Sequence, residues 1–292
     1  MKDTKVTVAA LRSQLKDPKR NLERVEEACR AAKKEHSRLL LLPELMLTGH
    51  GGHPKMTENA EAVPAGPLSS AILDLSKKYS LCICVGIAEL ANSVVYNSQM
   101  VADHGEYLGL QRKINLSGDE YLYFGTGNTV ELFDIGDLRF GITICYDNLF
   151  PELALVHALG HVDVILAPHA ARTGEWPEDL TPEFCQRVIA GNQAGWEKRQ
   201  RARALDHNVY ILLCDAVGPS TEDLENVVAN HAGTVMGIEP NGEVFLRTTR
   251  TDFSDETVTV ELKQEKRRIN HGPTRNRNLD VVLAMLKKRS TP

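Results

Sequence analysis

Four consecutive leucines, Leu39-Leu40-Leu41-Leu42, stop abruptly at Pro43-Glu44. A strand with one wet face would alternate apolar and polar residues, so an unbroken apolar run reads as a short strand covered on both faces. Such a strand needs a sheet buried between layers, and the rest of the chain supplies them. Residues 6–11 read as a first strand, and Asp17-Pro18 then opens an amphipathic helix with Leu22, Val25, Ala28, Cys29 and Ala32 on one face. Composition and turn signals predict further strands over residues 81–88, 94–101, 108–114, 130–135, 138–144, 162–167, 210–214, 234–238, 244–246 and 257–262. Helices are predicted over 67–79, 151–159 and 180–207, the last interrupted near Gly191 and Gly195. Gly136-Asp137 and Pro240-Asn241-Gly242 read as hairpin turns, and 81–88 and 94–101 as neighbouring strands. Alternating strands and helices, with no linker or repeat, predict an α/β fold: a mixed sheet packed between helices, in a single domain over residues 1–292.

The 292 residues, 42% of them hydrophobic, suffice for a large core, and the net charge of −5 disfavours nucleic acid or an anionic membrane as a partner. No apolar run approaches the ~18 residues of a membrane span. Six cysteines in apolar contexts, with no CxxC pair, argue against a disulfide framework or a zinc module. The start lacks the apolar core of a secretion signal, so a cytoplasmic protein is expected.

One cysteine stands apart. The apolar run Ile142-Thr143-Ile144 ends at Cys145, two polar residues follow Tyr146, and Pro151-Glu152 opens a helix. A thiol on such a strand-to-helix turn is expected to have a lowered pKa and backbone N–H groups beside it. The alternative is a packed core thiol. Glu44 and Lys113 likewise fall at the ends of apolar strand runs, where layered α/β folds gather residues distant in sequence. A carboxylate, an ammonium and a thiol would form a coherent set: the thiolate attacks a carbonyl or nitrile carbon, the carboxylate moves the proton, and the ammonium holds the negative charge that develops. Each also has a structural alternative, as a capping acid, a surface lysine and a buried thiol.

Three blocks, Leu41-Leu42-Pro43-Glu44, Gln111-Arg112-Lys113-Ile114-Asn115-Leu116 and Ile144-Cys145-Tyr146-Asp147-Asn148-Leu149-Phe150-Pro151-Glu152, resemble the signature segments of the nitrilase superfamily of carbon–nitrogen hydrolases in order and separation. The resemblance implies a four-layer α-β-β-α sandwich that pairs with another subunit sheet to sheet, giving a homodimer or higher oligomer. It implies Glu44 as general base, Lys113 as oxyanion stabiliser and Cys145 as nucleophile. Asp119-Glu120-Tyr121 resembles a further family segment, which makes Glu120 the candidate for orienting Lys113 and the attacking water. Tyr146-Asp147 after the thiol resembles the amidase and N-carbamoyl hydrolase branches, where true nitrilases usually carry Trp-Glu.

The expected substrate is therefore a small amide or N-carbamoyl compound. A nitrile, or a silent interaction module, is the alternative. Tyr146, His169 and Arg172 are the substrate-binding candidates, Arg172 through a paired bond to a carboxylate. Residues 50–53 and 121–124 are further expected lining. His50 and His53 on a glycine loop are too few for a metal site, so neither metal nor organic cofactor is expected. The stretch 174–195 is longer than the resemblance leads one to expect, which leaves a lid or a subunit contact open. A basic tail over about 263–292, short of aromatics, is expected to lie across a partner subunit and not on nucleic acid.

Overall fold

The computed structural model describes residues 1–15, 17–51, 53–173, 180–219, 230–267 and 278–290. Residues 268–277 of the predicted tail, the first part of the 174–195 stretch and Gly52 lie outside the described residues. The chain folds into two six-stranded sheets stacked face to face, with helices on both outer faces.

The first sheet has the order β14-β1-β2-β3-β4-β5, from β1 (Thr4–Ala10), β2 (Leu39–Leu41), β3 (Cys82–Ala91), β4 (Val94–Asp103), β5 (Glu106–Arg112) and β14 (Glu256–Leu262). The second is β13-β12-β9-β8-β7-β6, from β6 (Leu132–Ile135), β7 (Leu138–Ile142), β8 (Val164–His169), β9 (Tyr210–Asp215), β12 (Val235–Ile238) and β13 (Val244–Arg247). β10 (Val217–Pro219) and β11 (Asn230–Ala232) form a separate ribbon.

Side-chain alternation explains why the sheets stack. In β1 and β2, Val6, Val8, Leu39 and Leu41 meet Phe140, Ile142, Val164, Leu166 and Leu212 of the second sheet. Their neighbours Ala9 and Leu40 point the other way, onto Val25, Ala28, Cys29 and Ala32 of α1 (Pro18–Lys34) and Ile72 and Leu75 of α2 (Pro67–Tyr79). On the far side, Ile165, Ile211, Leu213 and Met236 pack against α3 (Pro151–Leu159) and α4 (Pro182–His207) through Ala154 and Ala204. The layers are thus α-β-β-α. Alternation along the chain predicts one mixed sheet; periodicity says that a strand is covered on both faces but not whether a helix or a second sheet covers it.

α4 runs unbroken for 26 residues, where an interruption near Gly191 and Gly195 is expected. A side chain at either glycine would meet open space. The helix keeps its line because Cys185, Ile189, Gln200, Ala204 and His207 bury its other side, and packing outweighs about 1 kcal/mol of glycine propensity at each site. α5 (Leu279–Ser290) falls in the predicted tail and leaves Val281, Leu283 and Leu286 exposed. No helix among the described residues is long and apolar enough to cross a membrane.

Strand direction positions the functional side chains. β2 is parallel to β3, and two antiparallel steps through β4 return β5 to the same direction, so Glu44 and Lys113 leave the first sheet at one edge. β7, β8 and β9 are mutually parallel, so Cys145, His169 and Asp215 gather at the corresponding ends of the second sheet.

Candidate active site

The turn carrying Glu44 is laid directly on β3. Gly86 N–H donates to the Pro43 carbonyl at 3.2 Å, and Leu47 N–H donates to the Gly86 carbonyl at 3.0 Å. A Cβ at position 86 would stand 2.1 Å from Leu45 N, so only glycine admits this backbone crossing.

Glu44 is wholly buried, and its carboxylate has three donors. Oε1 accepts from Lys113 Nζ at 2.7 Å and Asn97 Nδ2 at 2.7 Å, and Oε2 accepts from Ala170 N–H at 2.7 Å. Lys113, also buried, donates as well to Glu120 Oε1 at 2.8 Å. Glu120 lies in a single 3-10 turn (Gly118–Leu122), where Oε2 accepts from Ser117 N–H at 2.7 Å and Ser117 Oγ at 2.9 Å. His50 Nε2 stands 3.5 Å from Glu120 Oε1. The ammonium is thus clamped between two carboxylates in a site nearly closed to water, where attraction between charges is far stronger than at a surface.

Electrostatics follow from this clamp. Burial alone would push the Glu44 and Glu120 carboxyls up, but Lys113 and, for Glu120, the bond from His50 hold both below the ordinary carboxylate range. Burial would likewise strip the Lys113 proton, yet Glu44 and Glu120 raise its pKa above the usual lysine value. Both depressed acids contribute stability that is complete above their unfolded-state pKa and is lost as pH falls through the folded-state values. The melting temperature is therefore expected to be flat down to about pH 5 and to fall steeply below about pH 4. Glu120→Gln, with one acid fewer to protonate, should show a shallower fall. An identical slope in a thermal-melt series would assign the acid loss to other carboxylates.

Cys145 opens a 3-10 turn, Cys145–Leu149, that separates β7 from α3, and it adopts the left-handed φ of +47°. A non-glycine residue rarely sits there, and such strain gathers at functional positions. The sulfur lies within the electrostatic reach of Glu44, Lys113 and Glu120. The expectation of a lowered thiol pKa is corrected. Burial, and next the Glu44 carboxylate, push it well above the ordinary value, and Lys113 offsets this only in part. A single 3-10 turn stands between the thiol and α3, whose first residue is Pro151, so the helix dipole adds little. Burial and the Glu44 carboxylate both favour the thiol over the thiolate.

The three substrate-binding candidates fare differently. Tyr146, half-buried, stands edge-on to Phe150 with ring centroids 5.5 Å apart. His169 is wholly buried, within 3.2 Å of Asn148 and edge-on to Trp196 at 4.3 Å, so it supports the site from behind. Arg172 gives both arms of its guanidinium to Asp119, at 2.6 and 3.1 Å, and would have to leave that pair to grip a substrate.

Glu44, His50 and Glu120 bring potential metal-ligand atoms within 4.8 Å of one another, but the Lys113 ammonium already bonds to two of them. His53 is elsewhere, its ring nitrogen capping the turn Pro54–Thr57 through Lys55 N–H at 3.1 Å.

The sequence reading missed Asn97, which touches both carboxylates, and the Ala170 N–H. Asn97 left little signal, since it is only the first of three consecutive polar residues, Asn97-Ser98-Gln99, within its strand. A backbone donor leaves none. Asp147, in sequence only a marker of the family branch, and Asp215 also have roles in the site. Asp147 ties the segment after Lys113 to the thiol turn, accepting from Asn115 N–H at 2.8 Å and Ile144 N–H at 3.2 Å. Asp215 accepts from Ala171 N–H at 2.9 Å, and burial pushes its carboxyl well up.

The profile of the carbon–nitrogen hydrolase family matches residues 5–268. A protein named nitrilase from Pyrococcus abyssi is 27% identical over 88% of this chain and 90% of its own length. The chloroplastic omega-amidase of Arabidopsis thaliana is 28% identical over 80% of this chain and 61% of its own. Among solved structures, an amidase from Nesterenkonia sp. AN1, captured after addition of acrylamide to its active-site cysteine, superposes with a TM-score of 0.76. That match spans 97% of this chain and 99% of the other at 18% identity, a likeness of fold.

Proposed function

We propose that this chain, which belongs to the carbon–nitrogen hydrolase family, hydrolyses a small amide or N-carbamoyl compound through a thioester on Cys145. The observation that carries this reading is the buried Lys113 ammonium held between Glu44 and Glu120 beside the thiol-bearing turn. A structural salt bridge has little reason to sit beside a strained cysteine. An oxyanion forming at that sulfur does need a fixed cation.

Because the resting thiol is protonated and Glu44 is a weak base, proton transfer accompanies attack and does not precede it. As sulfur bonds to the carbonyl carbon, the thiol proton passes to Glu44, and the carbonyl electrons move onto oxygen. Lys113 and a backbone N–H beside Cys145 meet that charge. Collapse breaks the C–N bond, and Glu44 returns the proton to the leaving nitrogen. Water then attacks the thioester, giving its proton to Glu44, and the sulfur leaves and is reprotonated. Glu120 keeps Lys113 aimed throughout.

Tyr146-Asp147 after the thiol and the omega-amidase among the relatives favour an amide over a nitrile. The test is ammonia and carbon dioxide release, measured together across amides, N-carbamoyl amino acids and nitriles. Ammonia alone from amides is one expected result. Both gases would mark a carbamoyl substrate. Turnover confined to nitriles would overturn the proposal.

A further inference from the structure

The turn bearing Cys145 is gripped from behind by one side-chain amide. Asn148, buried, directs Nδ2 at the carbonyl oxygens of Thr143 at 2.9 Å and Cys145 at 3.2 Å. Carbonyl oxygens only accept, so the atom facing them must be the nitrogen, and the orientation of the amide is fixed. Oδ1 then accepts from Thr143 Oγ1 at 2.8 Å and from Gln200 Nε2 at 2.7 Å. Gln200 belongs to α4, in the outer layer, yet is 1% exposed.

The same Nδ2 lies 3.2 Å from His169 Nε2. With both N–H bonds already directed at carbonyls, this third contact packs the imidazole against the amide. Burial pulls the His169 pKa down to about 3, which keeps the ring neutral. The next residue, Ala170, holds Glu44 Oε2. One amide therefore joins the carbonyl of the thiol residue to the strand end that holds the base.

The left-handed φ of Cys145 makes this grip consequential. Such a conformation costs of order 1–3 kcal/mol and persists only where its surroundings enforce it. Released, the turn would relax and carry the sulfur off its line to the carbonyl carbon.

We propose that Asn148 is a positioning residue for Cys145, keyed by Gln200 from α4, so that the outer helix sets the geometry of the nucleophile. The inference rests on Cys145 being the nucleophile. Asn148→Leu keeps the branched shape and the number of side-chain heavy atoms and removes the donor. Its kcat is expected to fall about 100-fold, because a displacement near 1 Å costs that much in an aligned site, while KM stays within about threefold. Mere filling of space would be satisfied by leucine, so a kcat within about threefold of the parent overturns the proposal. Gln200→Leu, farther from the thiol, decides the matter if Asn148→Leu does not fold: a kcat about tenfold lower is expected, and an unchanged kcat overturns the proposal. Should Cys145→Ala keep its turnover, the nucleophile assignment itself fails, an outcome distinct from either of these.

Discussion

Cys145→Ala is expected to fold like the parent and to release no measurable ammonia from any amide or carbamoyl substrate. Loss of a nucleophile that forms a covalent intermediate costs about 10⁶-fold in kcat, because binding and charge stabilisation alone recover only a small part of the rate. Stability should change by about 1 kcal/mol or less, since the substitution removes one sulfur from a half-buried residue and leaves the backbone grip of Asn148 and Asp147 in place. Ammonia release read beside a thermal melt tests both halves. Turnover within about tenfold of the parent would exclude the thiol from the chemistry.

Lys113→Met should be the most damaging substitution to fold and activity together. Methionine roughly matches the length of the stem but leaves Glu44 and Glu120 facing each other, buried, with no cation between them. Removing one partner of a buried ion pair costs about 3–5 kcal/mol. In the proposed mechanism the oxyanion also loses its cation, worth about 10²–10³ in kcat. Glu44, the proposed base, is affected too, because burial and Glu120 then raise its pKa against only His50 and the donors from Asn97 and Ala170. The sign of the pH dependence reverses with it. In the parent the depressed acids lose their contribution as pH falls. In the variant at least one carboxyl is raised above its unfolded value, so stability is greatest in acid and is lost as pH rises through the raised value. Between about pH 7 and pH 5 the parent's melting temperature should therefore stay level while the variant's rises. A variant as stable as the parent at neutral pH would mean that the ammonium does not compensate the two acids.

The difference between what could be read from the sequence and what could not has a physical origin. The elements around Leu39–Leu41, the hairpin turn at Gly136 and the boundaries of α1 and α2 follow from local periodicity, capping and turn chemistry, all of which act within a few residues. Glu44, Lys113 and Cys145 were visible because each falls at or just past the end of a strand run and because the motifs around them resemble known blocks. Asn97, Ala170 and Asn148 were not visible in that way. Their importance lies in partners 53, 126 and 52 residues away, and no local pattern encodes such a contact.

Electrostatics divide in the same manner. The sequence gives a thiol at the mouth of a helix and, from that alone, a lowered pKa. Packing removes the water that would solvate the thiolate and brings the Glu44 carboxylate near, and the direction reverses. Likewise Arg172 is a free cation on paper, and Asp119 claims it only once two loops meet. The amino-acid order by itself determined the strands and helices, the layered class of fold and the three residues that interrupt the pattern, because hydrophobic period and turn propensity are short-range. Only the tertiary structure decided that two sheets would stack, that the cation would lie between two acids, and that an amide beside the thiol would be keyed by the outer helix. Burial, charge pairing and backbone strain belong to the assembled environment of a residue, not to its neighbours along the chain.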